Sequence, residues 1–210
     1  MSVTEAEPRL VPESDLPRLT AGGTAPAYWG MWMLIATEAM LFGALIAGYF
    51  FIRFRSSSVW PPDGIAIPGL TLPLIMSAIL WSSSIPVHVA DRAVRAGDQM
   101  RLRLGLALGS VLGAAFLGIM LGVEYPEALD EFTPTTNAYG SLFFTLTGFH
   151  GAHVLIGLLF SAWTQVRAWR GDFSRDRHLT VHLFALYWHF VDTVWLFVLV
   201  TIYLSPNFIG

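Results

Sequence analysis

The 210-residue sequence contains no cysteine and no lysine, and only 13% of its residues are charged. The missing cysteine excludes disulfides, thiolate metal centres and a cysteine nucleophile. The sparse charge, about half the ~25% usual in soluble domains, excludes a disordered chain, a nucleic-acid binder and an ordinary cytosolic domain. No P-loop, dinucleotide fingerprint or Gly-x-Ser-x-Gly elbow occurs. No internal repeat is visible either, which disfavours an inverted-repeat transporter.

What is present is apolar: 54% of residues are hydrophobic and the mean hydropathy is +0.57. A membrane-spanning helix needs about 20 mostly apolar residues. Five runs qualify: Ala27 to Phe51, Leu70 to Ala90, Leu104 to Val123, Ala138 to Val166 and Thr180 to Leu204. They predict an all-α, polytopic membrane bundle of five transmembrane helices over residues 27–54, 70–91, 102–124, 138–168 and 179–205. Pro73 and Pro86 lie in the second run, where a kink is tolerated if neighbours satisfy the freed carbonyls. Between the runs, the polar stretches Asp91 to Arg103, Glu124 to Asn137 and Gly171 to Arg177 are expected to be loops. Residues 1–26 hold Glu5, Glu7, Glu13 and Asp15 among several prolines, and are expected to be a mobile cytoplasmic tail rather than a signal peptide.

Arginine sets the expected orientation. All 12 basic residues are arginine; ten fall in the tail and in the second and fourth connections, while Arg53 and Arg55 alone lie on the other side. The positive-inside rule then places the N-terminus in the cytoplasm and the C-terminus outside. Trp29, Trp32, Trp163, Trp169 and Tyr203 sit near run ends, where interfacial anchors belong.

Two stripes of small residues repeat every fourth position: Ala39, Gly43 and Ala47 in the first run, and Gly105, Gly109 and Gly113 in the third. Such stripes let helix backbones approach closely, so both are expected to be packing surfaces. Inside the runs only Glu38 and Asp192 carry formal charge. An ionised carboxylate at Glu38 would cost several kcal/mol unless paired. Glu38 is therefore expected to be a buried, proton-linked carboxyl, a polar contact with a partner subunit, or a neutral group hydrogen-bonded inside the bundle. His150 and His153 share a face of the fourth helix; His182, His189 and Asp192 share a stripe of the fifth. Facing histidines could ligate haem or a metal. The alternative is an interhelical polar network that locks the fourth helix to the fifth. His88 is expected near a helix end.

These segments resemble one family. Residues Tyr139 to Gly157, YGSLFFTLTGFHGAHVLIG, resemble the penultimate-helix signature of subunit III of haem–copper oxidases, and Tyr187 to Trp195, YWHFVDTVW, resembles its last-helix signature. Thr37 to Phe42 is similar to the family's membrane-embedded glutamate segment, and Glu124-Tyr125 with Phe132-Thr133 matches the stretch between. The resemblance runs from about Trp29 to Tyr203 and implies the short, five-helix bacterial form, without the first two of seven helices.

The resemblance implies a non-catalytic subunit III of an aerobic respiratory terminal oxidase, a cytochrome c oxidase whose O2 reduction is coupled to proton pumping. It implies packing on subunit I, with support of proton uptake, O2 access and stability. It implies no cofactor, metal or catalytic residue in this chain. Haem and copper would reside in subunit I, copper could also reside in subunit II, and phospholipid would be bound. The implied partners are subunits I and II and membrane lipid, with no nucleic acid, in a bacterial plasma membrane. Glu38 takes the position of the family's carbodiimide-reactive glutamate, and His150, His153, His189 and Asp192 take helix-pairing polar positions. The chain departs from many members at His182, where they have glutamate, and at Leu121, where they have glutamine. Subunit III of a quinol oxidase and the related nitric oxide reductase accessory protein remain open, as does a b-type cytochrome from a different class.

Overall fold

A computed structural model describes residues 26–56, 60–62, 65–66 and 68–208. The expected tail at residues 1–26 lies outside them except for Pro26. The described residues form five long helices: α1 (Pro26–Arg55), α2 (Thr71–Ala96), α3 (Gln99–Glu131), α4 (Ala138–Arg170) and α5 (Leu179–Phe208). Each is long and apolar enough to cross a membrane, and no strand occurs among the described residues.

The helices run further than their apolar runs, so two expected loops shrink. The polar stretch Asp91 to Arg103 continues both flanking helices, and only Gly97 and Asp98 lie between them. Arg95 in the last turn of α2 suits the helix dipole, and a long arginine side chain on either helix can keep its head in water. Gly97 stops α2 because it adopts φ 79°, and its N–H returns to the carbonyls of Ala93 and Val94. Asp98 then starts α3 by accepting from the Arg101 N–H at 3.0 Å. At the other end, α3 passes through Glu124 and stops only at Glu131.

Both extensions toward that end use a π-helical turn. Met120–Glu124 in α3 precedes Pro126, and Leu199–Leu204 in α5 precedes Pro206. A proline inside an α-helix lacks its N–H and presses on the carbonyl four residues back. A wider turn just before the ring relieves that clash without ending the helix.

Helices α2, α3, α4 and α5 pack in a closed ring, each on the next and α5 back on α2; α1 rests outside the ring against α4 and α5. The Gly105, Gly109 and Gly113 stripe makes the ring tight. A β-carbon on Gly105 would lie 2.6 Å from the Pro86 carbonyl oxygen, one on Gly109 2.6 Å from Val87, and one on Gly113 2.5 Å from the Trp188 ring. Trp188 and Trp195 fill the centre. Their indole N–H groups donate to Ser83 and Ser77, both at 2.8 Å, because a buried indole N–H must find an acceptor.

Two expectations change. Trp29, Trp32, Trp163 and Trp169 are exposed as anchors should be, but Tyr203 is buried. The π turn rotates it inward, where its hydroxyl meets Glu124. The stripe of Ala39, Gly43 and Ala47 faces away from the other described residues, with no atom beyond its own stretch of helix backbone within 4 Å of a β-carbon on Gly43.

Candidate functional site

The polar side chains inside the bundle form separate groups rather than one network. In the first, α1 meets α4. Glu38 Oε2 lies 3.1 Å from His153 Nε2. His153 Nδ1 lies 2.7 Å from the Phe149 carbonyl oxygen, which can only accept, so Nδ1 carries a proton. The bond between Nε2 and Oε2 therefore needs one proton, held by the imidazole or by the carboxyl. Phe42 abuts the ring edge-on at 5.1 Å, and Tyr187 donates to the His153 carbonyl at 3.1 Å. The Glu38 side chain is 27% exposed and that of His153 is 12% exposed. Glu38 is thus paired and partly open in this chain. Its partner lies 115 residues away, beyond the reach of a reading by local spacing.

The second group joins α2 to α5. The Ser84 hydroxyl donates to Asp192 Oδ2 in a short hydrogen bond. His189 Nδ1 lies 3.0 Å from the same hydroxyl, whose oxygen is left to accept from it. The His88 ring stands 6.3 Å from that of His189. Asp192 is buried, and its Oδ1 has no partner among the described residues.

The third group sits nearer the arginine-rich end. Arg95 donates to Asp91 at 2.7 Å and approaches His182 Nδ1 at 2.8 Å, while His182 lies 3.3 Å from Asp91. The two short contacts make Arg95 the bridge. Tyr28 of α1 stacks on His182 with centroids 6.0 Å apart.

His150 stands apart. It is fully buried between Phe116 and Trp195, with centroids at 5.7 and 4.9 Å, and neither ring nitrogen has a hydrogen-bond partner among the described residues. The expected network locking the fourth helix to the fifth is therefore corrected. His182, His189 and Asp192 pair with α2, His153 pairs with α1, and His150 packs among aromatics. The reason is geometric: in a closed ring the last helix presents one face to α2, and its i, i+7 and i+10 positions fall there.

The sequence reading missed a fourth group. Glu124 is 5% exposed, and its Oε1 accepts a short hydrogen bond from Tyr203. Tyr125 reaches Thr147 at 3.1 Å. Local periodicity puts Glu124 and Tyr125 at the start of a loop, because π turns carry no hydrophobic periodicity of their own. Among the described residues, no three histidine or acidic side chains come together as a metal site.

Comparison with known proteins places this geometry. The family model described as cytochrome c oxidase subunit III matches residues 20–206. Cytochrome c oxidase subunit 3 of Triticum aestivum is 37% identical over 180 residues, covering 83% of this chain and 67% of the relative. The protein of that name from Anopheles gambiae is 39% identical over 184 residues, covering 83% and 68%. That of Thermostichus vulcanus is 33% identical over 180 residues, covering 85% and 87%. With the match extending over nearly all the described helices, the chain belongs to the cytochrome c oxidase subunit III family.

Proposed function

We propose that the chain is a non-catalytic subunit of an aerobic terminal oxidase that reduces O2 and pumps protons. It packs on subunit I, lies near subunit II, and supports proton uptake, O2 access and the stability of the catalytic subunit. Its N-terminus lies in the cytoplasm of a bacterium, as the arginine distribution favours. The observation that carries this reading is the Glu38–His153 pair. It places a paired carboxyl near the middle of α1, the helix that the chain's own core covers least among the described residues.

Haem and copper in this reading belong to subunits I and II. The histidines here are engaged otherwise: His153 with Glu38, His189 with Ser84, His182 with Arg95, and His150 with an aromatic cage. Purification through a tag on this chain is expected to bring down haem and copper, whereas the chain separated from its partners is expected to show no Soret band. Glu38→Gln is expected to leave the haem spectrum of the complex unchanged. A Soret band that stays with the isolated chain would make it a b-type cytochrome instead.

A further inference from the structure

A cavity of about 280 Å³ opens at the end of the bundle away from the Gly97 and Gly171 turns. Three carboxyl groups from one face of α3 line it: Glu124, Glu127 and Glu131. No arginine or histidine lines it among the described residues, and its other walls include Leu72, Pro73 and Phe143. Glu127 and Glu131 reach solvent, while Glu124 is buried. Tyr203 satisfies one oxygen of Glu124; the other, Oε2, has no hydrogen-bond partner among the described residues. A buried acceptor without a donor has lost water and gained nothing in return, which native structures rarely tolerate.

We propose that this cavity receives a basic side chain, lysine or arginine, from a neighbouring subunit of the oxidase, whose head donates to Glu124 Oε2 and to Glu127. The proposal rests on the family reading, because it needs a neighbouring subunit. Charge complementarity selects the occupant, since among the described residues three acids line the space and no base does. Size agrees: the volume falls just below the roughly 300–1,000 Å³ of ligand pockets and suits one side chain. The mixed walls agree as well. A long basic side chain lays its methylene stem on apolar surface and places its charge beyond it. An inorganic cation would leave that apolar wall without a role.

The test uses the assembled oxidase, isolated through a tag on this chain and washed at raised salt. Glu124→Gln combined with Glu127→Gln is expected to lower the amount of haem-bearing subunit retained by on the order of tenfold. Asp172→Asn, at the opposite end, is expected to change nothing. Glu124→Gln keeps an acceptor for Tyr203, and the melting temperature of each purified variant shows whether it folds. Should the double variant fail to fold, Glu127→Gln with Glu131→Gln, both on exposed residues, carries the same test. Treatment of the wild-type complex with a water-soluble carbodiimide then identifies the occupant. The reagent activates a carboxyl, and an amine displaces it as the urea leaves, forming an amide. This chain has no lysine, so an amide from Glu127 or Glu131 to a lysine joins two chains. Such a cross-link assigns lysine; lost retention without it assigns arginine.

Unchanged retention in the variants overturns the proposal. So does wild-type retention that a chelator abolishes and a divalent cation restores, which would assign an inorganic ion. An amide to a lipid ethanolamine overturns it in favour of a headgroup. A wild-type chain that brings down neither haem nor copper refutes the family role itself, and so is distinguishable from a failure of the cavity assignment.

Discussion

Helices α1 and α3 carry the same small-residue stripe at the same spacing and end in opposite surroundings. On α3, Gly105, Gly109 and Gly113 are pressed against α2 and α5 so closely that no β-carbon fits. On α1, Ala39, Gly43 and Ala47 look outward, and a β-carbon on Gly43 would meet no other helix within 4 Å among the described residues. Only 11% of the most apolar stretch of α1 is buried, against 56% for α5. The difference teaches that a small-residue stripe licenses close approach without naming the partner. In a membrane, apolar surface gives no preference between lipid and another helix, so packing geometry alone decides.

Breaking the glycine stripe of α3 should have the largest effect. Gly113→Leu forces a branched side chain into the Trp188 ring and is expected to cost about 3 kcal/mol or more, or to prevent folding. Gly43→Leu on α1 is expected to stay within about 0.5 kcal/mol. Reversible unfolding of both variants in mixed micelles checks the pair; equal losses would mean that α1 packs against the core after all. A smaller loss should follow from removing an acceptor inside the ring. Ser83→Ala leaves the Trp188 N–H buried without a partner and is expected to cost about 1–3 kcal/mol in the same assay. A still smaller loss should come from the polar contact that ties α1 to α4. Glu38→Ala is expected to cost roughly 0.6 kcal/mol, the average for interhelical hydrogen bonds in membranes. Limited proteolysis of the α1–α2 connection should quicken with it. A loss as large as that of Gly113→Leu would show that α1 depends on this one contact.

The five helices were legible because each apolar run exceeds the length that a bilayer core requires, and because charge gathers between them. Their ends were less legible. Arginine-rich turns looked like loops, yet Arg92, Arg95, Arg101 and Arg103 all sit on helices whose true boundary is the left-handed Gly97. The π turns before Pro126 and Pro206 were invisible for a related reason. Proline marks a break by local rules, and only surrounding packing shows whether the helix continues through it.

The candidate site divides in the same way. Spacing found the histidines and acids inside the apolar runs, because the helical period puts residues three, four and seven apart on one face, but it missed the buried Asp91 and Glu124 at the run ends. It paired those it found wrongly, since period says nothing about which helix stands opposite. Glu38 with His153, and Ser84 with His189 and Asp192, are contacts across more than 100 residues of chain. His150 shows the limit most clearly. It shares a face with His153 but points into Phe116 and Trp195 and bonds to neither.

The sequence by itself determined the solvent, the number of spans and the family, because apolar length and two long motifs are properties of the chain read in one dimension. Only the tertiary structure decided the closed ring of four helices with α1 outside it, the partner of each intramembrane polar group, and the acid-lined cavity beside Glu124. Those follow from which surfaces fit at close range. Fit depends on the shapes of side chains far apart in the sequence, such as Trp188 against Gly113.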